Sequence, residues 1–534
     1  MEQIRKHLTI KKNMNIPAIN LKDGYKIDHL HQFPNECSLT FNNWTPRASR
    51  NPNVKKIIHF GLQGFIKEWL IEYWNRTFFN VPREEAVKKY KRRINNMGNV
   101  FSSFDHIYKL WDLQYLPVSI WALPEGSHVN IGIPTFVSYS THPEFYWVPG
   151  MLETMTSAEM WKPSTSATDS LELWKIYKKY ATLSCETDAH VKFQGWNFSM
   201  RGMSGIWDAC VSGAASLLIF NGGDTIPAID YLEDYYNANS DKDLICGGIN
   251  ATEHAVMCTS TGFYIKTKYQ DDWSFHGKAE IDVFRRLITE VYPTGGVSIV
   301  SDTWSLPNVL ANILPNLKEE ILQRDGIVVI RPDSFWTSPV DCLCGFDGHH
   351  PKMEGLNAQE LKTIKDGVIL TLYNIFGGTY NNKGYIVLNP KVGTIYGDGI
   401  NADRVEEICK RLLNMQFASS NWVGGIGSYF YQYVTRDNYG WAQKCTYAEC
   451  HLDNDQIITL DVFKDPITDG GEKKSAKGLL AVYEKDGNFV LKEQASWEEV
   501  KNCAFVNVFH NSKLVKECSY SDIIENIQKI KSQI

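Results

Sequence analysis

No stretch of about 18 apolar residues occurs in the 534-residue sequence, so nothing in it reads as a membrane-spanning helix. Its opening, from Met1 to Asn20, is basic but has neither an apolar core nor a small-residue cleavage site. No secretory signal is read there, and the cytosol is the expected address. Positive charge is not in excess: 55 Lys and Arg stand against 61 Asp and Glu, a net −6, so nucleic-acid binding through a basic surface is not expected. The phosphate-loop pattern G-x-x-x-x-G-K-[ST] is missing, and Gly424-Gly425-Ile426-Gly427-Ser428 is only a partial glycine loop. The twelve cysteines have no repeating spacing, which favours reduced thiols over a disulfide framework. Cys342, Cys344, His349 and His350 follow no common zinc spacing; no metal is expected there, and the stretch reads as a polar insertion loop.

What is present is an ordinary globular composition, 43% apolar and 22% charged, long enough for two or three domains. The middle of the chain repeats a short apolar run that stops at Gly, Ser, Asn, Asp or Arg-Pro. Six such strand ends are read, at 216–220, 244–246, 297–300, 327–330, 394–396 and 421–423. Between them, 281–291 and 405–415 carry apolar residues at three-or-four spacing and read as amphipathic crossover helices. Continuous apolar strands alternating with helices imply a parallel sheet buried on both faces, and their regular recurrence favours an irregular (β/α) barrel. The two ends of the chain are expected to meet as a mixed, β-rich second domain. A hairpin is read around Lys485-Asp486-Gly487-Asn488, and a closing helix from Ser521. The expected division is 1–185, 186–430 and 431–534, with the barrel in the middle.

Chemistry in such a barrel belongs at the carboxyl ends of the strands, where this chain keeps Asp224, Asp302, Arg331, Asp333 and Asp398. Each alone is more readily a turn or cap residue; five on one rim suit a sugar phosphate, with guanidinium forks for phosphate and carboxylates for hydroxyls or magnesium. His254 follows closely after a strand end. An imidazole so placed can be phosphorylated if a carboxylate orients the ring, and Asp302 suits this better than Glu253, because adjacent side chains usually diverge.

Eight ordered motifs resemble the nicotinamide phosphoribosyltransferase family, animal as well as bacterial and viral: Asn197-Phe198-Ser199-Met200-Arg201-Gly202, Gly223-Asp224-Thr225, Thr252-Glu253-His254, Val300-Ser301-Asp302, Ile330-Arg331-Pro332-Asp333-Ser334, Gly397-Asp398-Gly399, Thr435-Arg436-Asp437 and Phe463-Lys464-Asp465-Pro466. The resemblance runs from Asp23-Gly24-Tyr25-Lys26 to the last helix. It implies a type II phosphoribosyltransferase barrel that joins nicotinamide to phosphoribosyl pyrophosphate, with ATP and Mg²⁺ as cofactors and a phosphorylated histidine, matched by His254, with Asp302 and Asp333 beside it. It implies a pyridine ring held between Phe198 and Tyr25, with its carboxamide on Asp224 and Arg331. Ribose hydroxyls are implied at Asp333, Gly397 and Asp398, and the 5′-phosphate at Gly427 and Ser428, clamped by Arg436 and Lys444. At the pyrophosphate and ATP end the matching residues are Arg47, Arg201, Asp302, Lys464 and Lys473. The family also implies a homodimer in which Tyr25, Arg47, Arg436 and Lys444 act on the partner subunit's barrel. Departures are Ala442 and Ser428, in place of a serine and a glycine of animal members, Met200 in place of an aromatic, and an insertion at 335–356. Nicotinate transfer and a non-catalytic binding or signalling role are the alternatives.

Overall fold

The structure, a computed structural model, describes residues 16–98, 103–454, 456–468 and 475–534. It separates into two compact units. One comprises 1–165, 231–238 and 435–533, the other 166–230 and 239–434 together with Ile534. Among the described residues no helix is long and apolar enough to cross a membrane.

The first unit is built on a seven-stranded sheet that draws on both ends of the chain. Its order is Ile457–Asp461, Trp441–His451, Cys37–Pro46, Phe136–Ser140, Val118–Ala122, Val506–His510 and Lys513–Leu514. The central pairing is antiparallel and sets Trp44 against Gln443 and Asn43 against Lys444. Large aromatics make its core: the Trp44 and Trp441 rings stack with centroids 5.4 Å apart. In the hairpin Leu479–Lys485 with Asn488–Ala495, Asp486 and Gly487 both take positive φ, the backbone a two-residue I′ turn requires. The last helix, Tyr520–Ser532, starts one residue before the expected position; Ser519 caps it and closes a capping box with Asp522.

The second unit holds the parallel sheet. Its strands are β1 (Gly195–Asn197), β2 (Gly222–Gly223), β3 (Asn250–Ala251), β4 (Val297–Val300), β5 (Val328–Arg331), β6 (Val392–Tyr396) and β7 (Val423–Ile426). Their order is β2-β1-β7-β6-β5-β4-β3, all parallel. A bridge from Gly222 to Gly247, three residues before β3, brings the two edges together, so the sheet nearly closes into a barrel. β4 is buried along its whole length, as a strand covered on both faces must be.

Two of the expected strands are not strands, and a third, 421–423, lies ahead of its strand, which begins only at Val423. Residues 216–217 end the helix α1 (Ile206–Leu217) and 218–220 turn out of it; Leu217, Leu218, Ile219 and Phe220 are all buried and so read like an interior strand, while the strand itself is the glycine pair that follows. Residues 244–246 precede β3, and β1 went unread because it is three residues long. The crossover helices α2 (His254–Lys268) and α3 (His276–Arg286) lie between β3 and β4. The insertion is also more ordered than a loop. Ser338 caps the helix α4 (Pro339–Cys344) by accepting from the Asp341 amide, Val340, Cys342, Leu343 and Cys344 are buried, and Asp341 pairs with Arg411 at 2.8 Å on α5 (Ala402–Asn414).

Candidate active site on the barrel rim

The functional side chains of the second unit stand where parallel strands end. Phe198 follows β1, its N–H donating to the Ile426 carbonyl at 2.9 Å, and its ring lies against Gly425 and Gly397. A Cβ on Gly425 would run into that ring, so glycine is required there by space, not by backbone angle. Asp224 follows β2 and donates its amide to the Asn197 carbonyl at 2.9 Å. The Asn197 side-chain oxygen accepts from the Ser199 amide, the Ser199 hydroxyl and the Thr225 hydroxyl, so one carboxamide ties the turn bearing Phe198 to the turn bearing Asp224.

Arg331 ends β5 and donates to the Thr252 carbonyl. Burial lowers its pKa, while Asp333, Asp224 and Asp302 oppose that and Arg201 adds to it. The Asp224 carboxyl is pushed above the ordinary range by burial, against the pull of Arg331 and Arg201. Asp224, Arg331 and Arg201 therefore share one electrostatic neighbourhood. Cys246 lies beside it, its thiol donating to the Gly223 carbonyl at 3.3 Å and pushed up to about 11 by burial and Asp224.

His254 opens α2 with its Nε2 3.1 Å from Asp302 Oδ1. The other Asp302 oxygen accepts from the Ser334 hydroxyl at 2.6 Å. The imidazole is 46% exposed whereas the Asp302 side chain is 7% exposed, so the ring meets solvent while its orienting carboxylate does not. Ser334, Thr252 and Asn197 are the supporting residues that sequence reasoning missed as such. Each lies inside a quoted motif, and only their hydrogen bonds reveal what they hold. Asp333 and Asp398 are exposed, and neither makes an ion pair among the described residues. Gly427 precedes the short Ser428–Gln432 helix, and Ser428 packs directly on Gly202. The Cys/His group divides: Cys342 and Cys344 are buried on α4, and His350 stacks on Trp336 at 5.2 Å.

The remaining candidates lie in the first unit. Tyr25 is 65% exposed. Arg47 donates to the Gly440 carbonyl at 3.1 Å, next to the strand that carries Lys444. The Lys444 ammonium is lowered in pKa by burial and by Arg47, Lys464 and Lys26, with Glu153 opposing. Three further cations thus act on it, of which Lys26 is itself paired with Glu153 at 2.6 Å. Arg436 has Asp437 at 3.7 Å. Lys473 lies outside the described residues.

Known proteins resemble both the chain and its fold. The nicotinate phosphoribosyltransferase (NAPRTase) family matches residues 193–511. The nicotinamide phosphoribosyltransferase of Acinetobacter baylyi is 41% identical over 534 residues, 98% of each chain. That of Mycoplasma pneumoniae is 33% identical over 478 residues, 86% of this chain and 94% of its own. Among solved structures, nicotinate-nucleotide pyrophosphorylase from Pyrococcus furiosus superposes with a TM-score of 0.52 at 13% identity, covering 99% of this chain and 98% of that one. Human nicotinic acid phosphoribosyltransferase does so with a TM-score of 0.50, also at 13% identity, over 96% and 94%. At that identity the shared property is the fold.

Proposed function

The chain belongs to the nicotinamide phosphoribosyltransferase family, and from that premise we propose that it transfers the 5-phosphoribosyl group of phosphoribosyl pyrophosphate to nicotinamide, with ATP hydrolysis coupled through His254. The products are nicotinamide mononucleotide and pyrophosphate, a step of NAD biosynthesis. The observation that carries the choice of substrate is the carboxylate of Asp224 sharing its surroundings with the guanidinium of Arg331, on a turn that Asn197 ties to the one bearing Phe198. A pyridine stacked on the open face of Phe198 presents a carboxamide whose NH₂ donates to Asp224 and whose oxygen accepts from Arg331. Nicotinate would bring a second carboxylate to Asp224, and the like charges repel.

Stacking aims the ring nitrogen at C1 of the ribose. Asp333 and the Gly397-Asp398 turn take the ribose hydroxyls, and the Gly427 and Ser428 backbone takes the 5′-phosphate. Arg201 stabilises the negative charge that develops as pyrophosphate leaves. The exposed oxygens of Asp333 and Asp398 are hard donors of the kind Mg²⁺ binds, so the residues present fit that ion. When bound it neutralises pyrophosphate charge.

With Asp302 holding Nε2, the nitrogen of His254 free to attack the γ-phosphorus of ATP is Nδ1, and ADP is the leaving group. Hydrolysis of the phosphoimidazole then returns the free histidine. The four cations of the first unit form no complete site of their own. We assign Tyr25, Arg47, Arg436 and Lys444 to the partner subunit's barrel in a head-to-tail homodimer, and Lys464 to the pyrophosphate end. All twelve cysteines are free, in keeping with a cytosolic enzyme.

The test mixes the protein with phosphoribosyl pyrophosphate, Mg²⁺, ATP and either nicotinamide or nicotinate. Mononucleotide from nicotinamide at ten times the kcat/KM for nicotinate, or more, is expected. Preference for nicotinate would transfer the assignment to the other activity of this fold, and no product from either would leave a binding protein.

A further inference from the structure

A cleft of about 150 Å³ in the first unit is lined by Asn20, Lys22, Gly24, Tyr90, Arg93 and Met97, none of them on the barrel. We propose that this cleft, between residues 20–27 and the Arg83–Asn96 helix, is an anion site that takes inorganic phosphate or a small phosphate ester.

Lys22 is the first reason. Its ammonium lies 4.8 Å from the centre of the Tyr90 ring, and among the described residues it makes no ion pair or hydrogen bond. His29 and His106 are both lowered in part by it, as by a nearby cation. Burial pushes the amine down to about 7 with no anion to offset it, although the residue keeps part of its surface exposed. Arg93 supplies a second positive group. On its own it would be an ordinary cation near a helix C-terminus, but Lys22 is on no helix and has no such explanation.

The second reason is hydrogen bonding. The Asn20 side-chain oxygen and the Tyr90 hydroxyl are buried without a partner among the described residues, and Tyr90 itself is 1% exposed. Buried polar atoms are rarely left unmet, and these two belong to residues that line the cleft beside the unmet cation. Phosphate answers all of them: its oxygens accept from Lys22, Arg93 and the Tyr90 hydroxyl, and a protonated phosphate oxygen donates to Asn20. The cleft is large enough for phosphate or a small phosphate ester. A Cβ on Gly24 would lie 2.7 Å from the Met97 methyl, so the wall is already in close contact there and does not open in that direction.

Tungstate, a tetrahedral dianion with anomalous scattering, is the crystallographic probe. Crystals of the full chain soaked in it should show a peak within hydrogen-bond reach of Lys22 Nζ and Arg93. That peak should vanish in Lys22→Met and persist in Arg201→Met. In solution, calorimetric titration with inorganic phosphate in the Arg201→Met background should show affinity falling tenfold or more on adding Lys22→Met, and within threefold of the starting value with Lys22→Arg. Tungstate bound only at the barrel, or phosphate affinity unchanged by Lys22→Met, would overturn the site.

Discussion

On the barrel rim charges meet their opposites. Arg331 stands among Asp224, Asp302 and Asp333, and His254 faces an Asp302 already held by Ser334. In the terminal unit the reverse holds. Lys444 has Arg47, Lys464 and Lys26 around it and only Glu153 against them. The first arrangement is preorganised, so its groups hold catalytic geometry with nothing bound. The second holds repulsion that a bound anion would relieve, as expected of an anion receptor and not of an acid–base site. The comparison explains why the rim looks complete as chemistry and the cation cluster does not.

Four variants sharpen the contrast. The largest effect is expected from His254→Ala: ATP hydrolysis and the acid-labile phosphoenzyme should fall to background while some phosphoribosyl transfer persists. Retained ATPase activity would remove the imidazole from the coupling. Next is Gly425→Ala, whose methyl pushes the Phe198 ring out of place; kcat/KM for nicotinamide should fall on the order of a hundredfold. Steady-state rates within threefold of wild type would show that the ring is not a positioning surface.

Asp224→Ser should reduce nicotinamide use by about tenfold and narrow the margin over nicotinate, since a hydrogen bond to a charged group is lost. The unmodified enzyme offers a pH version of the same test. Because the Asp224 carboxyl is raised, it takes up its proton at a higher pH than a free aspartate does. Discrimination should be full well above that pKa and relax as pH falls through it, which competition assays across the acid range would follow; a flat ratio would count against Asp224. The smallest effect is thermal. Lys444 has a lowered pKa in the fold, so between its folded and unfolded values the unfolded chain binds more protons and stability rises with pH. Below that window the penalty on the charged form is complete. Lys444→Met should therefore raise Tm by about 1–3 °C near neutral pH without ligand, while weakening phosphoribosyl pyrophosphate binding. A lower Tm would mean that the cluster is not self-repelling.

Some of this is legible in the sequence and some is not, for identifiable reasons. The hairpin at 485–488 is legible because a two-residue I′ turn demands Asp-Gly chemistry. Strand β4 is legible because its four residues are all apolar or small and stop at Ser301-Asp302. Residues 216–220 mislead because the buried end of a helix and the turn after it have the same apolar composition as an interior strand. The motif order points to His254 and Asp302, 48 positions apart, and the structure sets them 3.1 Å from each other. Ser334 could not be read, since nothing local distinguishes a serine that bonds a distant carboxylate from a turn residue. The insertion reads as a loop because its three glycines and two histidines mask the Ser338 cap in front of α4.

The account centres on a rim from one chain completed by cations from another, and mixing two defective variants tests it most directly. Gly425→Ala damages the rim and Lys444→Met the cluster, so each homodimer is impaired at both sites, while a mixed dimer has one intact site. Co-refolded in equal amounts, they should recover about a quarter of wild-type mononucleotide formation, since random assembly makes half the dimers mixed. Activity no higher than the mean of the two parents would contradict the shared site.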